Sequence, residues 1–272
     1  YKIMKAKIFF LSLVAFFALS VQAAVVDTIH VRSDAMNKEI QTVIVLPGSG
    51  KTTAPVIYLL HGHGGNAKTW IGLKPNLPEI ADQYGIIFVC PDGKNSWYWD
   101  SPVNPSYRYE TFVAKELVNY IDANYPTIKD RTARAITGLS MGGHGAMWLS
   151  FRHKDIFGAA GSTSGGVDIH PFPNNWNMSE WLGKESENQE VWEKHTVINL
   201  VEHLKNGDLA LIFDCGYSDF FFEVNNNFHE KLLKYKIDHD FIVRPGAHNG
   251  DYWRNSIDYQ IVFFNKFFNR NK

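Results

Sequence analysis

The 272-residue chain reads as an α/β protein with a mainly parallel central sheet and helices on both faces, on two patterns. Continuous apolar runs recur along it: VIYLL at 56–60, IIFVC at 86–90, AITGL at 135–139, FGAA at 157–160, LALIF at 209–213 and FIV at 241–243. A strand apolar at every residue, rather than at every second one, is buried on both faces. Between the runs, apolar residues return at helical spacing, as in Phe112, Val113, Leu117 and Ile121, and in Trp253, Ile257, Ile261, Phe264 and Phe268. Strand and helix in alternation give a parallel sheet with crossover helices, whose working groups gather at the carboxyl ends of the strands.

Taken in order, residues 1–23 stand apart. Lys2, Lys5 and Lys7 precede an apolar or small stretch from Ile8 to Leu19, and Val21-Gln22-Ala23 follows. That is the layout of an export signal, with cleavage expected after Ala23. The stretch is shorter than the ~20 residues a bilayer requires, so no stable membrane anchor is expected and the protein is placed in the periplasm or outside the cell. Residues 25–46 alternate in the β manner around the polar turn SDAMNK and predict an antiparallel hairpin. The stretch 167–207, rich in Trp, Asn, Glu and Lys, interrupts the alternation and reads as a cap inserted into one catalytic domain spanning 24–272, covering the sheet edge. The formal net charge is −1, and the chain has no basic excess to suggest nucleic acid as a partner.

Three glycine-rich stretches mimic other sites. PGSGKTTAP at 47–55 lacks the first glycine of a phosphate loop and precedes a strand instead of a helix. HGHGG at 61–65 offers two histidines with no Cys or carboxylate cluster beside them, so no metal is expected. GLSMGG at 138–143 has the wrong spacing for a dinucleotide fingerprint, and no cofactor is expected.

That last stretch does fit G-x-S-x-G, with Ser140 at its centre, after a strand-like run and before the amphipathic Ala146-Met147-Trp148-Leu149. A strand, a sharp elbow and a helix are the context in which a serine becomes an exposed nucleophile. A hydroxyl is a poor nucleophile near neutrality and requires a neutral imidazole to take its proton. Among the histidines, His248 falls after the last strand and before the last helix, at the carboxyl edge. His239 precedes that strand, His229 lies in a helix-like segment, and His144 and His153 follow the elbow on its own helix. A carboxylate must then orient the imidazole. Asp214 and Asp219 both follow LALIF; the second, further into the loop, has more freedom to reach across, and position leaves both open. The chain order Ser, Asp, His is that of the α/β-hydrolases. The oxyanion of a tetrahedral intermediate requires two pre-aimed amides. Met141, next after the serine, offers one, and His63 in HGHGGN, with Gly64 behind it, offers the other. Activity is expected to fall on acidification, because a protonated His248 accepts no proton.

Four ordered stretches, YLLHGHGGN, GLSMGGHGA, DCGYSDFFFEVNNNFHE and PGAHNGDYW, resemble the esterase D, tributyrin esterase and feruloyl esterase group of α/β-hydrolases over roughly residues 28–270. The resemblance implies an α/β-hydrolase fold, Ser140 as nucleophile, Asp219 as acid, His248 as base, and the His63 and Met141 amides as oxyanion hole. Together with the export signal, it implies a serine carboxylesterase for short-chain, acetyl or feruloyl esters, free or linked to plant polysaccharide fragments. Acyl transfer, S-acyl thioester cleavage and sugar binding without catalysis are the alternatives. NSWYWDSP at 95–102 is similar to loops lining such sites, so Trp97 and Trp99, with Trp70, Trp176 and Trp181, are expected to stack on a sugar or phenolic ring. The strand order of the group separates Cys90 from Cys215 by three strands, and two free thiols are expected.

Overall fold

The computed structural model describes residues 23–48 and 53–270. Residues 1–22, with nearly all of the expected export signal, and 49–52, within the PGSGKTTAP turn, lie outside the described residues.

Among the described residues, eight strands form one sheet: β1 (Val25–Ser33), β2 (Lys38–Leu46), β3 (Val56–Leu60), β4 (Ile87–Pro91), β5 (Arg134–Gly138), β6 (Ala159–Thr163), β7 (Ala210–Gly216) and β8 (Asp240–Arg244). Their order is β1-β2-β4-β3-β5-β6-β7-β8. The first two make the expected hairpin and β2 meets β4 antiparallel, while every pairing from β4 to β8 is parallel. The polar turn closes at Asn37, whose φ is +52°, a conformation that Asn tolerates better than most side chains.

Period-two alternation distributes the strand side chains between two apolar layers. On one face Val56, Tyr58, Leu60, Ile87, Val89, Ile136 and Phe213 pack against a helix over residues 109–124, against the elbow helix Met141–Arg152 and against Phe222–Lys234. On the other, Ile57, Leu59, Phe88, Ala135 and Ile212 meet Leu77–Tyr84 and the last helix, Gly250–Asn269. Both faces are covered, and burying each large aliphatic side chain contributes about 1.5–3 kcal/mol. In the last helix Ile257, Ile261, Phe264 and Phe268 are buried as their spacing predicts.

The run LALIF continues as strand through Gly216, which carries Asp214 and Cys215 into the sheet. In residues 167–207, between β6 and β7, short helices Met178–Leu182, Gln189–Lys194 and Val197–Leu200 place Met178, Leu182, Trp192 and Val197 in the core layer of the elbow helix. Ser101 Oγ donates to the Trp181 carbonyl at 2.7 Å, tying this stretch to the loop after β4. Cys90 and Cys215 are free and buried, with three strands between them and on opposite faces of the sheet. Burial pushes both thiols up, which leaves them unreactive.

Candidate active site

The strand β5 ends at Gly138 and the elbow helix begins at Met141, so only Leu139 and Ser140 make the bend. Ser140 holds φ +54° and ψ −118°, a conformation that costs an L residue of order 1–3 kcal/mol and persists only where its surroundings enforce it. They do: the Ser140 amide donates to the Thr163 carbonyl at 3.0 Å, and its carbonyl accepts from the His144 amide at 3.0 Å. The flanking glycines are a matter of space. A Cβ on Gly138 would lie 2.4 Å from the Gly142 backbone, and one on Gly142 would lie 2.3 Å from the Leu60 carbonyl oxygen.

His248 stands between β8 and the last helix, whose first turn is capped by Asn249 Oδ1 accepting from the Tyr252 amide at 3.1 Å. Its Nε2 is 2.9 Å from Ser140 Oγ, and its Nδ1 lies 3.0 and 2.9 Å from the two carboxylate oxygens of Asp219. A carboxylate only accepts, so Nδ1 carries the proton and Nε2 is left to accept the serine hydroxyl's. Asp219 reaches this point because the loops after β7 and β8 remain laced together: the Tyr217 amide donates to the Arg244 carbonyl and the Ser218 amide to the Gly246 carbonyl, at 3.1 and 3.0 Å. The chain then turns, with the Asp219 amide on the Gly216 carbonyl and the Phe221 amide on Asp219 Oδ1. Asp214 is engaged elsewhere. It is fully buried and accepts from Thr163 Oγ1, Ser256 Oγ and Gln260 Nε2.

The loop after β3 runs beside the nucleophile, since a Cβ on Gly62 would stand 3.3 Å from Ser140 Cβ. Among the described residues, the amides of His63 and Met141 have no acceptor, while that of Gly64 is spent on Asn95 Oδ1 at 2.7 Å. Two free amides, one at the N-terminus of a 12-residue helix, are suited to hold a negative oxygen. His61 fixes this loop. The Gly93 amide donates to its Nε2 at 2.8 Å, so its Nδ1 holds the proton and donates to the Gly62 carbonyl at 2.7 Å. Both ring nitrogens of His61 are therefore occupied by backbone. Among the described residues no group of three or more His, Cys, Asp or Glu is placed to hold a metal ion.

The aromatic side chains divide. Trp70 is buried, its indole donating to the Leu60 carbonyl at 2.9 Å. Trp99 and Trp181 are also buried, the first stacked on Trp97 at 5.7 Å and the second on Tyr107 at 3.9 Å. The expectation that these three stack on substrate is corrected: each face is taken up by protein, and their role is packing. The same correction applies to Trp97, which is buried too and supports Trp176, donating from Nε1 to its carbonyl at 3.3 Å. Trp176 alone of the five is partly exposed. Sequence reasoning missed Phe220, 52% exposed, with its ring centroid 4.2 Å from that of His248. The triple phenylalanine after Asp219 was its only signal. Trp253 covers His248 from another direction at 4.9 Å, edge to face. A separate groove of about 930 Å³, lined by Ile212, Ile242, Tyr259 and Phe263 among others, shares no residue with Ser140, His248 or Asp219.

The model of the Esterase family matches residues 33–264. The chain belongs to the Esterase family. This esterase is a serine carboxylic-ester hydrolase with the α/β-hydrolase fold. It is 27% identical over 213 residues to an acetyl esterase of Caldicellulosiruptor saccharolyticus, covering 74% of this chain and 79% of that one. It is also 24% identical to the S-formylglutathione hydrolase of Rattus norvegicus, covering 76% and 80%. Among solved structures, a ferulic acid esterase superposes with a TM-score of 0.77 at 28% identity, covering 90% of this esterase and 99% of that chain.

Proposed function

We propose that this esterase is exported and cleaves acetyl, other short acyl or feruloyl esters carried by plant polysaccharide or its fragments, through an acyl-enzyme. The unbroken line of hydrogen bonds from Asp219 through His248 to Ser140 carries the chemical part of this reading. Ser140 Oγ attacks the ester carbonyl carbon as His248 Nε2 takes its proton, and the carbonyl oxygen becomes an oxyanion between the His63 and Met141 amides. Asp219, closed to solvent, holds the imidazolium that forms. The C–O bond to the alcohol then breaks, His248 returns the proton to the departing oxygen, and the acyl group stays on Ser140. Water enters, His248 accepts one of its protons, and collapse of the second tetrahedral intermediate releases the acid and restores the Ser140 hydroxyl.

The substrate class is supported by the acetyl esterase and ferulic acid esterase among its relatives. Export is supported by the composition of residues 1–23, whose removal leaves 24 basic against 28 acidic residues.

Rates on acetyl, butyryl and feruloyl esters of a common alcohol, with Ser140→Ala as control, test the reaction and rank the acyl groups. Full turnover by Ser140→Ala would end the acyl-enzyme proposal. Sequencing the amino terminus of protein recovered outside the cytoplasm tests export, with Ala24 expected as the first residue.

A further inference from the structure

We infer that Phe220 and Trp176 form a leaving-group subsite, an aromatic ledge on which the sugar ring bearing the ester lies while His248 protonates its departing oxygen. The inference rests on the carbohydrate-ester reading above and assigns the residues that carry it.

The argument starts from His248. Its Nε2 faces Ser140 Oγ, and the same nitrogen must hand its proton to the leaving alkoxide, so the alcohol half of the ester lies against this imidazole. The ring of Phe220 is the nearest aromatic neighbour of His248, 4.2 Å between centroids at a tilt of 36°. Half of that ring is exposed. Trp176 continues the surface, stacked on Phe220 at 5.7 Å and 22°. From the imidazole that serves the departing alcohol, Phe220 and then Trp176 thus follow as neighbouring aromatic rings. A sugar presents axial C–H groups to such a surface, and their positive edge complements the negative face of the π system.

Backbone conformation is a second, independent observation. Trp176 and Asn177 are consecutive non-glycine residues at φ +48° and +59°, and Trp97, which buttresses Trp176, stands at +55°. Left-handed backbone is rare for bulky side chains and is retained where its surroundings demand it. Here the partly exposed Trp176 ring lies against Phe220, with Phe172 and Phe221 on its other sides, while its carbonyl is held by Trp97 Nε1. A tryptophan that served packing alone would gain more by burial in the layer beneath, where Trp97 and Trp99 already lie.

Two matched pairs of esters test the assignment. Methyl β-xyloside monoacetate against methyl acetate holds the acyl group fixed and varies the alcohol; methyl ferulate against methyl acetate does the reverse. For Phe220→Leu and for Trp176→Leu, the xyloside-to-methyl ratio of kcat/KM is expected to drop about tenfold, chiefly through KM, with the ferulate-to-acetate ratio within about twofold of wild type. Trp176→Leu leaves His248 untouched, so a shift of the imidazole cannot mimic the result. An unchanged xyloside ratio in both variants, beside a wild-type preference for the xyloside ester, overturns the ledge alone. A fall in the ferulate ratio instead overturns it in favour of an acyl subsite. A wild-type enzyme indifferent to the alcohol overturns both the ledge and the carbohydrate-ester reading.

Discussion

Asp214 and Asp219 belong to one continuous stretch, five residues apart, and both carboxylates are closed to solvent. Their surroundings differ in what donates. Asp214 ends its path inside the sheet, where three neutral donors from β6 and the last helix converge on it and Arg244 stands 3.5 Å away. Burial raises its carboxyl above the ordinary value, against the pull of those donors. It ties β6, β7 and the last helix together. Asp219 has left the strand, keeps one backbone amide, and directs both oxygens at a single imidazole. The same chemical group is a structural tie in one place and a partner of the base in the other, and only its partners distinguish the two.

Substitutions should separate these roles. Ser140→Ala is expected to cost the most, about 10⁶-fold in kcat, with the protein folded. Asp219→Asn follows at about 10⁴-fold in kcat, because an amide favours the wrong imidazole tautomer, and its unfolding midpoint should stay close to wild type. Asp214→Ala reverses the pattern. It strands the donors of Thr163, Ser256 and Gln260 and is expected to destabilise by about 3–5 kcal/mol in urea unfolding, while kcat of the folded fraction stays within about tenfold. A folded Asp214→Ala enzyme with no activity would break the comparison.

A smaller effect sharpens it at the oxyanion loop. Asn95→Ala removes the acceptor of the Gly64 amide and is expected to lower kcat about tenfold with KM little changed, since the loop would hold the His63 amide less firmly.

Histidines repeat the contrast. His248 keeps one nitrogen open to Ser140, whereas His144 is sealed beneath Trp97, Trp99 and Trp148, with Nδ1 on the Trp97 carbonyl. Burial lowers its imidazole from the ordinary 6.5 to about 3. The unfolded chain therefore takes up this proton first, so the contribution is complete above the ordinary value and is lost as pH falls toward the folded one. Between the ordinary value and about pH 5 the loss is about 2 kcal/mol, and His144→Gln should flatten that part of a stability-against-pH curve. The smallest expected effect concerns the thiols. Alkylation should label neither Cys90 nor Cys215 in the folded protein and both after unfolding, with or without reductant.

The strands were legible because burial on both faces writes itself as uninterrupted apolar runs, and the nucleophile because a strained elbow demands glycine at Gly138 and Gly142. His248 was legible from its place between the last strand and the last helix. Asp219 was less so: position left Asp214 open, and the resemblance of the YSDFF stretch pointed to the carboxylate that lies against His248. The tryptophans misled. Composition records how many aromatic rings a chain has, and Trp70, Trp99 and Trp181 differ from Trp176 only in whether other side chains cover them. The task of His61 was not legible: the amide of Gly93, from a loop 32 residues away in the chain, makes it a strut.

By itself the sequence determined the order of strands and helices, the bend at Ser140 and the place of His248 between the last strand and the last helix, since each depends on local steric and hydropathic rules that act within a few residues. The tertiary structure alone decided which rings face solvent, what Asp214 binds instead of the imidazole, and that the Gly64 amide is spent on Asn95. Those outcomes depend on hydrogen bonds and covering surfaces between segments far apart in the chain, and such partners exist only once the sheet has assembled.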